Sequence, residues 1–347
     1  MFRKTLSQEE NTTNDNIFCP FCFEIHPRTK RKCPNTEKII PDSYIQCIDR
    51  NVKNIINVNV GYTAHGKTCF LGSLYCSIAA GEIAKRWENF SFEILSEKTE
   101  NEFYNEYIKP LFKEKRVFES TKPLTPENPP NPMFFHFFGV PFKDGRIITT
   151  KEYLITFYDV SGETFEHTKD IKQLKMLQEA STITVFIDLP AMLEKSEKEW
   201  SPIIFLLHQL FQNMILAIDE FKYGSLKEKA LIICFTKTDL MWEKDYYYGP
   251  LAKRPDIDLP SDEKFIIDDL EKLLAMSREI EEFFWEKFPG VYNLLKNKFH
   301  SIVFTSFSAL GDNPIDGKVH IFRPVNIFHP IMWILFFEGC FGNFSVK

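Results

Sequence analysis

A glycine-rich loop between a short apolar strand and a helix is the first feature of this sequence that points to chemistry. Residues 61–68 read Gly-Tyr-Thr-Ala-His-Gly-Lys-Thr, which matches the pattern G-x-x-x-x-G-K-[ST]. In such a loop the backbone N–H groups point inward and the following helix N-terminus adds partial positive charge, so the loop can bind phosphates. An ordinary strand–turn–helix corner is the alternative interpretation. The predicted nucleotide contacts are Gly61, Thr63, Ala64, His65, Gly66, Lys67, Thr68 and Cys69.

Two side chains of this loop have separate predicted roles, and a second motif adds a carboxylate to them. Lys67 is expected to reach the β- and γ-phosphates as a catalytic residue, and the Thr68 hydroxyl is expected to ligate Mg²⁺. The second motif, D-x-x-G, contains Asp159 and Gly162. Because ligands gather at the carboxyl ends of strands in an open α/β sheet, Asp159 is placed to hold Mg²⁺ through water and the Gly162 N–H to meet a γ-phosphate.

Two further segments predict which base the site accepts. Residues 236–239 read Thr-Lys-Thr-Asp and residues 308–310 read Ser-Ala-Leu, each directly after an apolar strand. A carboxylate at Asp239 can accept hydrogen bonds from the N1–H and N2–H₂ of guanine, a pair that adenine lacks, and an unpaired buried polar group is costly. The Lys237 stem can lie against the base, and a backbone N–H of the second segment can contact the guanine O6. The predicted base contacts are Thr236, Lys237, Asp239, Ser308, Ala309 and Leu310.

Half of the 8 cysteines lie near the N-terminus, at Cys19, Cys22, Cys33 and Cys47. Structural zinc sites use four tetrahedral nitrogen or sulfur ligands, so we predict one structural Zn²⁺ bound by these four thiolates. The second pair is widely spaced, which makes His26 an alternative to one of the cysteines. Unliganded thiols are the other interpretation.

Bulk composition limits the class of protein. The chain has 347 residues with 44% hydrophobic and 26% charged residues, which is typical of globular proteins. The net charge of −6 argues against nucleic-acid binding. The chain begins without an apolar leader, and its apolar runs are too short or too interrupted to span a bilayer. We therefore expect a cytoplasmic protein without membrane contact, whose cysteines are thiols or metal ligands.

Strands and helices alternate along most of the chain, which predicts a mainly parallel sheet covered on both faces. An Asp-Gly turn at residues 144–145 predicts that its two flanking strands pair antiparallel. The predicted strands are Ile55–Val60, Met133–Phe142, Tyr153–Val160, Ile183–Leu189, Ala230–Phe235 and Ile302–Phe307. The predicted helices are Cys69–Trp87, Ser96–Arg116, Thr168–Glu179, Pro202–Lys222, Asp262–Phe288 and one near Ile327–Phe337.

The four motifs, in this order and each after a strand, resemble those of Ras-like and translation-factor GTPases of the TRAFAC class. The resemblance covers about residues 52–340. It implies a three-layer α/β P-loop NTPase fold with one antiparallel strand, GTP or GDP and Mg²⁺ as cofactors, and a protein effector or activating partner. The cysteine pairs ahead of such a domain resemble, more loosely, the double-GTPase domains of bacterial conflict systems, which implies a switch in defence against phage.

The expected organisation has three parts: a disordered tail over residues 1–16, a zinc-ribbon-like module over 17–50, and a GTPase domain over 51–347. Within the last part, residues 88–132 form a long proline-rich insertion at the place of the first switch segment. The switch threonine that contacts Mg²⁺ and assists catalysis is then Thr125 or Thr121, and we favour Thr125.

Two positions depart from the GTPase pattern. Thr236 stands where many GTPases carry asparagine, and Glu163 stands where Ras-like proteins carry the glutamine that orients the attacking water. A carboxylate beside a γ-phosphate is electrostatically unfavourable, so we predict slow GTP hydrolysis to GDP and phosphate with Glu163 in the catalytic position. A nucleotide-binding scaffold that scarcely hydrolyses and presents the zinc module or the insertion is the alternative. The third possibility, a P-loop ATPase or nucleotide kinase, is disfavoured by Asp239 and its neighbours.

Overall fold

The computed structural model describes most of the chain, in ranges with gaps between them. The described residues are 16–62, 65–85, 87, 89–95, 100–101, 103–116, 131–144, 147–165, 174–193, 200–219, 225–241, 265–312, 314–316, 318–320 and 322–341. Thr63, Ala64, Thr121 and Thr125 lie outside the described residues, as does the predicted tail except for Asn16.

Nine strands and eight α-helices are present in these ranges. The strands are β1 (Asn16–Phe18), β2 (Ile25–Pro27), β3 (Lys53–Gly61), β4 (Ser91–Ile94), β5 (Pro132–Asp144), β6 (Ile147–Ser161), β7 (Thr182–Asp188), β8 (Ala230–Thr236) and β9 (Ser301–Ser306). The helices are α1 (Asp42–Asp49), α2 (Lys67–Ala79), α3 (Lys175–Glu179), α4 (Leu189–Leu193), α5 (Trp200–Asp219), α6 (Phe265–Lys287), α7 (Pro289–Lys298) and α8 (His329–Phe337). Short 3-10 turns cover Gly162–Phe165, Ser225–Glu228 and Thr238–Met241, and a π-helix covers Tyr104–Lys113.

Seven of the strands form one sheet in the order β4-β5-β6-β3-β7-β8-β9. β3 pairs parallel with β6 and β7, and the parallel pairing continues through β8 to β9. β5 pairs antiparallel with both β6 and β4, so it alone runs against the others. The predicted α/β fold, mainly parallel with one antiparallel strand, is confirmed. Because β3, β6, β7, β8 and β9 point the same way, their carboxyl ends meet at one edge.

Both faces of the sheet are covered by helices, which gives three layers. Val58 and Val60 of β3 pack into one apolar layer with α5 and α7, whereas Ile55 packs into the other with α2 and α8. Helix α6 contributes side chains to both layers. Burial on both faces explains why β7 and β8 are nearly continuous β-branched and apolar runs.

Several boundaries differ from the predictions. Helix α2 ends at Ala79 rather than at the predicted Trp87, because Gly81 adopts φ 79° and its N–H bonds back to the Ile78 carbonyl, which is a glycine helix end. The insertion contains an unpredicted edge strand, β4, and its helix is a π-helix with Pro110 inside. The predicted helix Asp262–Phe288 ends at Lys287 in the structure, within one residue of the prediction, and it is followed by a helix that was not predicted, α7, which has Pro289 at its start, where proline is tolerated.

The N-terminal module consists of the β1-β2 hairpin and α1, and it packs directly on the large sheet. Ile17 and Tyr44 share an apolar cluster with Phe134 of β5 and Leu154 of β6. The Tyr158 hydroxyl of β6 donates to the Pro20 carbonyl at 2.5 Å. None of the helices within the described ranges combines the length and the hydrophobicity that crossing a membrane requires.

Candidate functional site

The predicted site residues lie at the carboxyl ends of the parallel strands. The glycine-rich loop begins at the last residue of β3, and D-x-x-G covers the end of β6 and the residue after it. The Thr-Lys-Thr-Asp segment begins at the last residue of β8, and the Ser-Ala-Leu segment follows β9. β7 lies between β3 and β8 in the sheet order, so its end occupies the middle of this edge. Ligand sites in open α/β sheets form at such an edge.

The two glycines of the loop are required by close contacts and backbone conformation. A Cβ on Gly61 would lie 2.8 Å from the Phe186 carbonyl oxygen of β7, so the loop begins in direct contact with that strand. Gly66 adopts φ 85° immediately before α2, in the left-handed region that favours glycine. His65 donates from Nδ1 to the same Phe186 oxygen at 2.9 Å. The loop therefore contacts β7 both before and after residues 63–64.

Lys67 places a buried ammonium group inside this loop. The residue is 3% exposed, and its Nζ donates to the carbonyl oxygens of Gly61 and, at 3.2 Å, Tyr62. Burial lowers the pKa of Lys67, while the carboxylates of Asp159 and Glu163 act in the opposite direction. A phosphate chain bound in the loop would meet this cation directly.

The D-x-x-G segment lies against the loop. The Thr68 hydroxyl is 3.5 Å from an Asp159 carboxylate oxygen, so the two predicted Mg²⁺ ligands are neighbours. A Cβ on Gly162 would come within 2.9 Å of the Tyr62 backbone nitrogen. The Glu163 carboxylate accepts a hydrogen bond from the Ser161 hydroxyl. Hydroxyl and carboxylate oxygens are the donor types that Mg²⁺ takes, so this pair fits the ion.

The segments after β8 and β9 meet through side chains. Burial raises the pKa of the Asp239 carboxyl, and a hydrogen bond with Ser308 partly offsets this rise. The Ser308 hydroxyl also accepts the Gly311 N–H at 2.8 Å. Thr236 faces the loop, since a Cβ on Gly66 would lie 3.6 Å from the Thr236 Cβ. The base-recognition segment and the phosphate-binding loop therefore lie next to each other at Thr236 and Gly66.

The Ser-Ala-Leu segment is held by a second stretch of backbone. The N–H of Ser308 bonds to the Val325 carbonyl at 3.0 Å, and the Leu310 carbonyl accepts the Arg323 N–H at 2.7 Å. Because the Ser308 N–H is already hydrogen-bonded to Val325, the backbone N–H that could contact a base is that of Ala309 or Leu310. Ala309 is itself buried.

Asp188 is a site residue that the sequence predictions missed. It ends β7 with a buried side chain, and its Oδ2 lies 2.5 Å from the Lys237 Nζ. The prediction treated this position as the interior of a strand that ran to Leu189. A carboxylate at the end of an apolar strand was the signal that could have identified it.

The model of the Double-GTPase 2 family matches residues 55–294. The chain belongs to this family. It is also similar to a solved structure, the bacterial selenocysteine-specific elongation factor EF-Sec, with a TM-score of 0.27 and 14% identity. That alignment covers 74% of this chain and 26% of the elongation factor, so the chain spans about a quarter of that protein's length. No curated protein matches the chain. Membership of the Double-GTPase 2 family supports guanine-nucleotide binding, with Mg²⁺ as the usual companion ion.

This Double-GTPase 2 chain also contains a Cys/His cluster in its N-terminal module. The ligand atoms of four buried residues all lie within 4.8 Å of one another, and these residues are Cys19, Cys22, His26 and Cys33. The His26 Nε2 is 2.9 Å from the Cys22 sulfur and 3.8 Å from the Cys33 sulfur. Three thiols and one imidazole are a donor set of structural zinc sites, so the cluster fits this ion.

Cys47, predicted as the fourth ligand, lies outside the cluster. Helix α1 carries it to the interface with β5, where its sulfur is 3.7 Å from the His136 Nδ1. His26 takes its place because β2 turns back beside the Cys19–Cys22 loop. The alternative ligand set with His26 is the one that the structure assembles.

The thiols of the cluster differ in acidity. Burial raises the pKa of Cys19 and Cys22. Burial acts in the same direction on Cys33, but hydrogen bonds from Thr36 and from backbone N–H groups outweigh it and lower the pKa of Cys33 to about 6. A cation bound here would favour the deprotonated form of these thiols, because thiolates are the form that ligates metals.

Proposed function

We propose that this protein binds GTP with Mg²⁺, hydrolyses it slowly to GDP and phosphate, and acts as a nucleotide-dependent switch. The supporting observation is the position of the half-buried Asp239 carboxylate, next to Ser308 and on the same edge of the sheet as the Lys67 ammonium group. This arrangement joins a guanine-selective acceptor to a phosphate-binding loop. The defence role and the effector or activating protein implied by the resemblance stay predictions.

The chain's own residues would act by positioning and charge. Lys67 would exchange its bonds to the Gly61 and Tyr62 carbonyls for phosphate oxygens, and the Gly162 N–H would contact the γ-phosphate. Thr68 and Asp159 would hold Mg²⁺, which when bound neutralises charge on the β- and γ-phosphates. Asp239 would accept from the guanine N1–H and N2–H₂ while Ala309 or Leu310 donates to O6. The roles of Thr63, Ala64, Cys69 and Thr125 stay predictions.

The first test compares binding of GTP and ATP to the full chain at equilibrium in the presence of Mg²⁺. GTP is expected to bind at least about 100-fold more tightly than ATP, because ATP leaves the Asp239 carboxylate unpaired. Lys67→Ala should weaken GTP binding at least about tenfold through the loss of charge-assisted hydrogen bonds. Equal affinity for the two nucleotides would contradict the guanine assignment.

The second test concerns the rate of hydrolysis. Replacing Glu163 by glutamine removes a negative charge beside the γ-phosphate, so the single-turnover rate of GTP hydrolysis should rise about tenfold, equivalent to about 1.4 kcal/mol of barrier. Rapid mixing with limiting GTP and direct measurement of released phosphate provide the rate. A large loss of rate would show that the Glu163 carboxylate assists the reaction.

A nucleotide-binding scaffold with little hydrolysis is the second candidate. The observation that favours it is the hydrogen bond from Ser161 to Glu163, which holds the carboxylate beside the phosphate site. In that case wild type and Glu163→Gln would both release phosphate no faster than an Lys67→Ala variant, while wild type still binds GTP.

For the N-terminal module we propose one structural Zn²⁺ bound by the Cys/His cluster. The support is the donor set and its burial, with the four ligand atoms within 4.8 Å of one another.

A further inference from the structure

The carboxylate of Asp188 has both of its oxygens occupied by different parts of the chain. Oδ2 accepts from the Lys237 Nζ at 2.5 Å, and Oδ1 accepts from the Ala191 N–H at 3.1 Å, in the first turn of α4. The side chain of Asp188 is 7% exposed and that of Lys237 is 38% exposed. The backbone N–H of Ala191 orients this buried carboxylate, so the carboxylate can in turn restrict the position of the flexible Lys237 side chain.

Lys237 has a backbone conformation that needs such support. Its φ is 57°, in the left-handed region that a residue with a side chain seldom adopts. The conformation starts the turn Thr238–Met241, with the Leu240 N–H bonded to the Lys237 carbonyl at 3.1 Å. This turn carries Asp239, so the placement of Lys237 and that of the base acceptor are linked.

The two residues before Asp188 connect β7 to the rest of the site. The Phe186 carbonyl accepts from His65 of the phosphate loop at 2.9 Å. The Ile187 carbonyl accepts from the Thr236 hydroxyl at 3.3 Å. Three successive residues of β7 therefore contact, in turn, the phosphate loop, Thr236 and Lys237. Of these three residues, Asp188 is the one that forms an ion pair with the base-recognition segment, through Lys237.

We propose that Asp188 is a positioning residue for guanine recognition, which acts by holding Lys237 so that its stem lies along the base. This inference rests on the proposed guanine-nucleotide function. An aspartate at this point restricts the lysine through an ion pair that is buried on the carboxylate side, where solvent screens the interaction less than at the surface.

The test is a double-mutant cycle on GDP affinity, measured by equilibrium binding with Mg²⁺. Asp188→Asn is expected to weaken GDP binding about tenfold, and Lys237→Met to weaken it at least as much. If Asp188 acts through Lys237, the double variant binds GDP no more weakly than Lys237→Met alone. Asp188→Glu keeps the charge and should recover part of the affinity lost in Asp188→Asn.

The matched control is Asp219→Asn. It removes another ion pair of the same type, in which Asp219 lies 3.4 Å from the Lys298 Nζ at the end of α5, and it should leave GDP affinity unchanged. The inference would be overturned if the double variant lost GDP affinity by the product of the two single-variant fold-changes. It would also be overturned if Asp188→Asn bound GDP as tightly as wild type. If Asp188→Asn fails to fold, the same cycle is run with Asp188→Glu, whose smaller loss must disappear in the Lys237→Met background. A wild type that binds no GDP refutes the proposed function itself, and the inference with it.

Discussion

Replacing Asp239 by asparagine is expected to lower GTP affinity about 100-fold or more and to shift the preference towards xanthine nucleotides. The carboxylate accepts two hydrogen bonds from guanine, and hydrogen bonds to charged groups contribute about 1.5–3 kcal/mol each. Xanthine carries a carbonyl where guanine carries its amino group, so the asparagine amide can donate to it. Equilibrium binding of GTP, XTP and ATP to both proteins measures the change.

The neighbouring Asp312 offers a matched control for this substitution. Its negative charge contributes to the raised pKa of Asp239, so Asp312→Asn changes the local charge without removing the base acceptor. This variant should retain the preference of wild type for GTP over XTP. If both variants lose GTP equally, or if Asp239→Asn gains no XTP binding, the role assigned to Asp239 is wrong.

The pH dependence of binding provides a further check on the same residue. The raised pKa of Asp239 means that its carboxyl becomes protonated at a higher pH than an exposed aspartate does. As the pH falls through this raised pKa, GTP affinity should fall, because the protonated group loses part of its ability to accept from the base. The dependence should be absent from Asp239→Asn.

Replacing Cys22 by serine is expected to abolish zinc binding, whereas replacing Cys47 by serine is expected to leave it intact. Cys22 lies in the cluster with Cys19, His26 and Cys33, and Cys47 lies at the interface with β5. Metal analysis of carefully purified wild type and Cys47→Ser should find about one zinc per chain, and Cys22→Ser should contain much less than one.

Stability should follow metal content. Because a structural zinc contributes its binding free energy to folding, a chelator should lower the thermal unfolding midpoint of wild type and of Cys47→Ser, and should have little effect on Cys22→Ser. Loss of zinc in Cys47→Ser as well as in Cys22→Ser would instead support the ligand set predicted from the sequence, which contains both cysteines. Wild type without zinc would reject the metal module.

The sequence by itself determined the parts of this protein that depend on short stretches of chain. The phosphate loop at Gly61–Thr68, D-x-x-G at Asp159, and the segments at Asp239 and Ser308 each consist of a few residues after an apolar strand. Local backbone conformation and strand burial are encoded within such a stretch, and parallel pairing then brings the strand ends to one edge. For this reason the fold and the location of the candidate site could be predicted without the structure.

Only the tertiary structure decided which side chains that are distant in sequence lie in contact. The exchange of Cys47 for His26 depends on the direction in which α1 packs on β5. The pairing of Asp188 with Lys237 joins the last residue of β7 to the residue after β8. The edge strand β4 is too short and too mixed in composition to stand out, and it forms because β5 offers it a partner. These contacts depend on packing between segments that are far apart in the chain. Residue spacing and local propensity do not predict such packing.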